Sequence, residues 1–277
     1  EVIERPASVV KELVENALDA GAGRIAVATR DGGLSRLQVS DDGCGMSAED
    51  LALAVERHAT SKLPGDDLWN IETLGFRGEA LPSIGSVARL AIRSCAAGGG
   101  EGAEILVDAG RKIGPRPAAQ NAGTRVEVHD LFYATPARLK FMKSERAEQA
   151  AITDVVKRLA MAHPGVAFSL ASGERVVLRV PSVMAGDLEG ILARLGRIMG
   201  DDFMRDARPV RAARHGASLE GFAGLPTLNR TNASMQFLFV NGRPVRDKLL
   251  AGAVRAAYGD LVPLGRFPML VLFLHVP

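Results

Sequence analysis

Three polar side chains near the start of the chain, Glu12, Asn16 and Asp19, are spaced by four and then three residues, so on a helix they share one stripe. A carboxylate such as that of Glu12 can orient and deprotonate a water molecule, typically for a gain of roughly 10²–10⁴-fold in rate. The amide oxygen of Asn16 suits Mg²⁺, which otherwise binds mainly water and phosphate. The stripe fits metal-assisted hydrolysis, and it also fits an ordinary exposed helix face.

A second candidate is Asp41, which stands at the end of a predicted strand, before a loop that contains Gly43 and Gly45. Its carboxylate is an acceptor for an exocyclic amine, and glycines let a backbone approach a flat ring closely. A plain turn explains the same residues equally well, because Asp and Gly are the commonest turn residues. The pattern Gly43-x-Gly45-x-x-Ala48 also imitates a dinucleotide fingerprint. However, the required second parallel strand is missing from residues 60–65, and no Gly-Lys pair forms a Walker A loop.

A third cluster, at residues 75–81, indicates a loop that enters a helix, and the free N–H groups of such a helix start suit phosphate. Thr60, Ser61 and Lys62 add hydrogen-bond donors and a positive charge upstream. Gly123-Thr124 opens a strand that could close the floor of a site. Each of these features would, taken alone, fit a loop or a helix cap.

The elements that must position these residues mix helices and strands without strict alternation, which predicts an α+β sandwich with an antiparallel or mixed sheet. A helix should begin near Pro6 and end at Gly21 and Gly23, and a hairpin should turn at residues 31–33. A short helix capped by Ser47 should reach Arg57. Further strands are predicted at 87–94, 103–107, 124–129, 166–171 and 175–180, and a long helix at 145–162. A domain boundary is expected near 181–187, followed by helices at 188–199 and 247–258 and strands at 218–225, 235–240 and 267–275.

Composition allows one large or two ordinary domains, since 47% of the 277 residues are hydrophobic. No apolar run reaches the ~18 residues that span a bilayer, and no secretory segment is evident, so we expect a cytoplasmic protein with Cys44 and Cys95 as reduced thiols. From residue 188 onward, 12 Lys and Arg face 7 Asp and Glu, a balance of +5 against −3 for the first 187 residues. The second half could therefore touch a phosphate backbone, although scattered surface arginines explain the same balance.

Taken together, these clusters resemble the GHKL ATPase superfamily, which includes gyrase B subunits, heat-shock chaperones, histidine kinases and the MutL family of DNA mismatch repair proteins. The amino-acid sequences of five stretches are similar to motifs of the MutL family in particular. They are ERPASVVKELVEN at 4–16, RHATSK at 57–62, GFRGEAL at 75–81, DLFYATPAR at 130–138 and VNGR at 240–243. The resemblance covers essentially the whole chain.

The resemblance implies a slow, Mg²⁺-dependent ATPase. By it, Glu12 is the general base, Asn16 the metal ligand and Asp41 the acceptor of the adenine amine, with Gly43 and Gly45 shaping the base pocket and Thr124 near the base. A lid formed by residues 60–81 is expected to wrap the phosphates. Its binding residues are Thr60, Ser61, Lys62, Arg77, Gly78, Glu79, Ala80 and Leu81.

The resemblance also implies two domains, a GHKL-type ATP-binding domain at 1–185 and a smaller ribosomal-protein-like α/β domain at 188–277. In the family, ATP orders the lid and drives dimerisation, and the dimer couples mismatch recognition to strand incision. Expected partners are therefore DNA, bound weakly and without sequence preference, a second copy of the chain, and the recognition and incision proteins. The family has a segment before Glu1 and a phosphate-contacting lysine beyond Pro277, so we expect a fragment with weakened hydrolysis and dimerisation.

Two other functions compete with an ATPase switch. The chain could be a nucleotide-gated scaffold for DNA and proteins in which hydrolysis is incidental. It could also be another GHKL member such as a histidine kinase, although residues 130–138 favour the MutL family and no phosphoacceptor domain is present in the sequence.

Overall fold

Helix α1 (Pro6–Asp19) carries the predicted catalytic stripe and begins and ends where its sequence predicts. In the computed structural model, which describes residues 3–56 and 79–277, Pro6 opens the helix and Gly21 follows its end with φ of 72°. Proline suits the first turn, where its missing N–H has no partner to lose, and glycine adopts positive φ without strain. The apolar stripe is buried as expected, and it comprises Val9, Val10, Leu13, Val14 and Ala17.

The predicted hairpin is confirmed as strands β1 (Arg24–Arg30) and β2 (Arg36–Asp41), joined by a 3₁₀ turn at Asp31–Gly33. The strands pair antiparallel, with Val27 opposite Val39 and Ile25 opposite Asp41. Side chains alternate across a strand, so the apolar residues of both strands face one side of the sheet. Asp41 shares that buried face at its edge.

The first unit builds an eight-stranded mixed sheet, in the order β5-β4-β3-β6-β2-β1-β7-β8, with helices on its buried face. Helix α1 packs on β1 and β2, and the short helices α2 and α3 pack on the β3–β4 side. The elements that follow β2 in the chain are α2 (Ala48–Ala54), α3 (Ala80–Val87), β3 (Arg89–Cys95), β4 (Ala103–Asp108), β5 (Arg111–Pro117), β6 (Gly123–His129), α4 (Pro136–Leu139), α5 (Glu145–Ala162), β7 (Ala167–Ser172) and β8 (Arg175–Val180). The last residues of α5, 157–162, belong to the second unit.

The second unit is built on a five-stranded mixed sheet in the order β13-β12-β15-β10-β9 and a two-stranded β11-β14 ribbon. Its elements are α6 (Leu188–Met199), α7 (Asp201–Asp206), β9 (Ala207–Arg214), β10 (Ala217–Gly224), β11 (Asn229–Arg230), β12 (Gln236–Val240), β13 (Arg243–Val245), α8 (Lys248–Tyr258), β14 (Phe267–Pro268) and β15 (Leu270–His275).

The chain divides into Glu1–Val156 with Val166–Ser182, and Lys157–Gly165 with Val183–Pro277. The α+β class is confirmed, and the expected domain limits of 1–185 and 188–277 stay a prediction.

Several boundaries differ from the sequence prediction for local reasons. Helix α2 ends at Ala54, before the expected Arg57, which lies outside the described residues. Strands β5 and β9 were not predicted, because almost all of their side chains are exposed and no apolar alternation marks them. The expected strand at 267–275 is interrupted at Met269, next to Pro268, which has no N–H to donate to a ladder.

No helix in residues 3–56 or 79–277 combines the length and the apolar character that crossing a membrane demands.

Candidate functional site

Three polar side chains form a row across the buried face of the first sheet. Strand register places Asp41 of β2 opposite Thr124 of β6, and Thr124 opposite Ser94 of β3. Each follows two apolar residues on the same face of its own strand or precedes them, so the row lies at one edge of the apolar core. Ser94 is 0% exposed and Thr124 is 9% exposed. Asp41 is half-buried, so the row joins the buried core to its surface, which is a favourable place to hydrogen-bond the polar edge of a flat ligand.

The Asp41 carboxylate is held by its own loop. Its Oδ1 accepts a hydrogen bond of 2.9 Å from the backbone N–H of Gly43. Burial raises the pKa of Asp41 above its ordinary value of 3.8, while hydrogen bonds from the Gly43 and Thr124 N–H groups oppose the rise. An ionised carboxylate only accepts hydrogen bonds, and its two oxygens offer about four acceptor positions. Asp41 can therefore accept from an amine in addition to its backbone partners.

The loop that follows Asp41 is pinned between helix α1 and strand β3. The Cys44 N–H donates to the Ala20 carbonyl (2.9 Å), and the Cys44 carbonyl accepts from Ala97 N–H (2.8 Å). Gly45 has φ of +64°, and a Cβ at this position would lie 1.9 Å from the Cys95 carbonyl oxygen. Only glycine fits there, because a side chain would collide with rigid backbone. Gly45 is therefore required by the close approach of the Cys95 backbone, and the predicted role of these glycines toward a flat ring stays a prediction.

The polar stripe of α1 lies along the helix whose end holds this loop. Asn16 is one turn before Ala20, and its carbonyl accepts the Ala20 N–H (3.0 Å). Glu12 is one turn earlier still, so it stands about 12 Å from Ala20 along the axis at 1.5 Å per residue. The Glu12 side chain is 17% exposed, with Lys11 Nζ 3.6 Å from its Oε1. Helix α1 therefore carries both residues on the element that packs against β2 and its loop.

Helix α3 begins at Ala80, as the sequence predicts for a loop that enters a helix. Glu79 stands at its N-cap, and the Glu79 carbonyl accepts the first helical hydrogen bond from Ser83 N–H (3.0 Å). α3 packs against α1 and β3, so its first turn, with Ala80 and Leu81, belongs to the same layer as the predicted catalytic stripe of α1. The other predicted phosphate-binding residues lie outside the described residues, and they are Thr60, Ser61, Lys62, Arg77 and Gly78.

Ser94 is a candidate site residue that the sequence prediction missed. Its Oγ accepts from Met46 N–H (2.8 Å), lies 3.1 Å from the Gly123 carbonyl oxygen, and lies 2.8 Å from Thr124 Oγ1. A signal for it exists in the sequence, because Ser94 follows Leu90 and Ile92 as the third residue of a buried face. Asp41 follows Leu37 and Val39 in the same way.

The donor set fits Mg²⁺ that is held mainly by phosphate. Within residues 3–56 and 79–277, no group of three or more His, Cys, Asp or Glu side chains is placed to hold a metal ion by itself. Asn16 supplies one neutral oxygen on the helix that carries Glu12. Mg²⁺ commonly keeps several waters and takes only one or two protein ligands beside substrate phosphates. Asn16 as a single ligand is therefore compatible with that mode of binding.

Two protein families match the chain. Residues 3–98 match the family described as histidine kinase-, DNA gyrase B- and HSP90-like ATPase. Residues 195–277 match the C-terminal domain family of DNA mismatch repair proteins. The first match contains α1, β2, the loop after Asp41 and Ser94, and Thr124 of the candidate site lies beyond it.

Individual relatives agree with the family matches. The DNA mismatch repair protein MutL of Rhodospirillum rubrum is 58% identical over 277 residues, and that of a Chelativorans species is 60% identical over 276 residues. The chain spans 44% of the length of each of these relatives. Among solved structures, the Aquifex aeolicus MutL ATPase domain complexed with ADP is 30% identical with a TM-score of 0.77, and the match covers 100% of this chain and 93% of that domain.

Proposed function

We propose that this chain, which belongs to the MutL family of DNA mismatch repair proteins and contains its GHKL-type ATPase domain, binds ATP and hydrolyses it slowly as a conformational switch. In this proposal, the adenine ring binds at the polar row of Asp41, Thr124 and Ser94. The phosphates extend along α1 toward Glu12 and Asn16. Slow turnover suits a switch, because the bound state then persists long enough to be read by partners.

One observation carries the proposal. The loop after Asp41 is hydrogen-bonded through Cys44 to Ala20, at the end of the helix that bears Glu12 and Asn16. An acceptor for a base amine and a carboxylate for water activation therefore belong to one packed layer. The similar Aquifex aeolicus domain is complexed with ADP, and this supports the same choice of nucleotide.

Each site residue has a proposed role. Glu12 orients and deprotonates the attacking water, and Asn16 is a ligand of Mg²⁺, which would neutralise phosphate charge. Asp41 accepts the adenine amine, with Thr124 beside it and Gly43 and Gly45 shaping the pocket. The start of α3, at Glu79, Ala80 and Leu81, offers backbone N–H groups to phosphate. The remaining phosphate ligands, Thr60, Ser61, Lys62, Arg77 and Gly78, keep the role that the family resemblance implies.

The proposal extends to partners through the family. ATP binding is proposed to promote pairing of two copies, and the paired state to couple mismatch recognition to strand incision. Weak DNA contact is assigned to the second unit, in agreement with its +5 balance from residue 188 onward. Strand β9 exposes Arg208, Arg211 and Arg214. Such exposed arginines suit phosphate contacts without base recognition.

The test is replacement of Glu12 by alanine, with Glu15→Ala as the matched control, since Lys11 pairs with both carboxylates. Glu12→Ala should bind ATP as the unmodified protein does and lose turnover by roughly 10²–10⁴-fold. Glu15→Ala should retain turnover. Phosphate release and nucleotide binding, measured on the same preparations, check both expectations. Equal hydrolysis by Glu12→Ala and the unmodified protein would remove Glu12 as the base.

A second candidate is a nucleotide-gated scaffold in which hydrolysis is incidental, and the basic second half favours it. It predicts DNA binding that weakens steeply as salt rises, because each phosphate contact releases a counterion. Replacing Arg211 and Arg214 by alanine should lower the slope of log affinity against log salt by about 2, with Asp201→Ala, at an exposed position of α7, as the control. Binding that does not respond to salt would argue against this candidate.

A further inference from the structure

The hydroxyl of Ser94 makes three contacts that constrain one another. Met46 N–H lies 2.8 Å from its Oγ, the Gly123 carbonyl oxygen lies 3.1 Å away, and Thr124 Oγ1 lies 2.8 Å away. The side chain is fully buried on the inner face of β3. A buried hydroxyl must satisfy its contacts with protein groups, because leaving one unmade is costly.

Proton counting assigns the direction of each hydrogen bond. A serine hydroxyl has one proton and two lone pairs. Met46 N–H can only donate, so it occupies one lone pair. The Gly123 carbonyl can only accept, so it takes the Ser94 proton. The remaining lone pair of Ser94 must then accept the proton of Thr124. No other assignment satisfies all three contacts.

This assignment decides whether the Thr124 hydroxyl can donate a hydrogen bond to a ligand or only accept one. Because its proton is directed at Ser94, the Thr124 oxygen offers only lone pairs to a ligand. Asp41, its neighbour across the register, is also an acceptor when ionised. The row therefore presents two acceptors side by side. Directed at the 6-position, such an edge accepts both N–H groups of the adenine amine and opposes the 6-oxo group of hypoxanthine or guanine, which is itself an acceptor.

We propose that Ser94 is a positioning residue that fixes the Thr124 hydroxyl as an acceptor and thereby makes the base pocket selective for 6-aminopurines over 6-oxopurines. The inference rests on the proposed function, since it requires the base to bind at Asp41. Ser94 acts through Thr124 and is not itself a catalytic residue. If Ser94 only supported the loop through Met46, its loss would weaken every purine nucleotide equally.

The experiment compares ATP with inosine triphosphate, in which a 6-oxo group replaces the 6-amino group and N1 carries a proton. In Ser94→Ala, the Thr124 proton loses its acceptor and can turn toward the 6-oxo group. The ratio of ATP affinity to inosine triphosphate affinity should then fall by about tenfold, the equivalent of one hydrogen bond.

Two variants are controls for this measurement. Thr124→Ser keeps a hydroxyl that can donate to Ser94, so the affinity ratio should be preserved. Ser40→Ala removes a serine hydroxyl one residue before Asp41, where the side chain faces the opposite side of the sheet and accepts from Gln38. It too should leave the ratio unchanged.

Equal weakening of ATP and inosine triphosphate by Ser94→Ala would overturn the proposal, since that is the signature of loop support alone. If Ser94→Ala does not fold, the unmodified protein still tests the selectivity that the proposal requires, through a series of three nucleotides. Affinity should fall from ATP to purine riboside triphosphate, which lacks the 6-substituent, and fall again to inosine triphosphate. Equal affinity for ATP and inosine triphosphate would refute the selectivity while the proposed ATPase stands. Failure to bind any of the three would instead refute the proposed function.

Discussion

The two units bury polar side chains for opposite purposes. In the second unit, Arg194 of α6 is 2% exposed, and its guanidinium donates to the Ala160 carbonyl (2.8 and 3.2 Å) and to the His163 carbonyl (3.4 Å). Those carbonyls lie at the end of α5, where the helix cannot supply partners of its own. Burial lowers the pKa of Arg194 to about 10. Its donors are directed at its own chain.

The row in the first unit is arranged differently. Ser94 and Thr124 bond to each other and to backbone, while Asp41 accepts from two N–H groups and retains further acceptor positions. A buried polar group is costly unless it is hydrogen-bonded, and the acceptor positions that Asp41 retains at the edge of the core are where the proposed nucleotide would bind. Burial is common to both sets of side chains and does not identify a site. What distinguishes the two sets is where their hydrogen-bonding capacity goes: the donors of Arg194 are used by its own chain, whereas Asp41 retains unused acceptor positions.

The largest effect should follow from filling the space at Gly45. Gly45→Ala places a Cβ 1.9 Å from the Cys95 carbonyl oxygen, at a residue whose φ is positive, so the loop that follows Asp41 must adopt another conformation. We expect the free energy of unfolding to fall by about 4 kcal/mol and nucleotide binding to be lost. Gly98→Ala is the control, because its Cβ would meet nothing within 4 Å. Chemical denaturation measures both, and a neutral Gly45→Ala would show that the ligand-facing loop is not constrained.

A smaller loss should follow from removing Arg194. Arg194→Met leaves the Ala160 and His163 carbonyls without this donor, at a cost of about 3 kcal/mol in the free energy of unfolding. ATP affinity of the folded variant should be unchanged. Arg197→Met, nearly one turn further along the same helix and exposed, should shift stability by no more than about 0.5 kcal/mol. An Arg194→Met protein as stable as its parent would contradict the contrast between the two units.

Asp41→Asn tests the ligand-facing side of the comparison. The amide replaces a charged acceptor, so ATP affinity should fall by about 30-fold, or about 2 kcal/mol. Because burial raises the pKa of Asp41, acidification should protonate this carboxylate at a pH above the range in which carboxyl groups ordinarily titrate. ATP affinity of the parent should therefore fall as pH drops through that raised pKa, and Asp41→Asn should lack this dependence. Calorimetric titration over a pH series checks both statements.

The contribution of Asp41 to the free energy of unfolding changes with pH in the direction opposite to its effect on ATP affinity. A carboxyl whose pKa is raised on folding favours the folded state most when protonated, so its contribution without nucleotide is present below the ordinary value of 3.8 and is lost as pH rises through the raised pKa. Nucleotide-free stability that increased over this window in the parent relative to Asp41→Asn would contradict the assignment of the raised pKa.

The smallest effect is expected at the neighbouring residue. Asp42 accepts hydrogen bonds from Gly23 N–H (2.8 Å) and Arg24 N–H (2.7 Å), so its carboxylate holds its own chain and not a ligand. Asp42→Asn should cost about 1 kcal/mol of stability and leave ATP affinity unchanged. If Asp42→Asn and Asp41→Asn weakened ATP binding equally, the distinction between the two adjacent carboxylates would fail.

Much of the fold could be predicted from the sequence where the period of apolar residues agrees with the residues that begin and end helices. The predicted limits of α5 and α6 match the structure, because an amphipathic period is closed at a proline, a glycine or an aspartate cap. Strands β5 and β9 could not be predicted, since exposed edge strands carry no apolar alternation and form only because a partner strand offers its hydrogen bonds.

The candidate site divides in the same way. Residue types and local spacing were enough to predict that Glu12 and Asn16 share one stripe and that Asp41 ends a strand beside glycines, because helix period and strand alternation act over a few residues. Spacing left Asp41 open between an acceptor and a plain turn, and the roles of all three residues came from the family resemblance. The partnership of Asp41, Thr124 and Ser94 emerges only in the folded chain. It depends on β6 lying between β2 and β3, strands separated by tens of residues, and no local period specifies which distant strands pair or in what register.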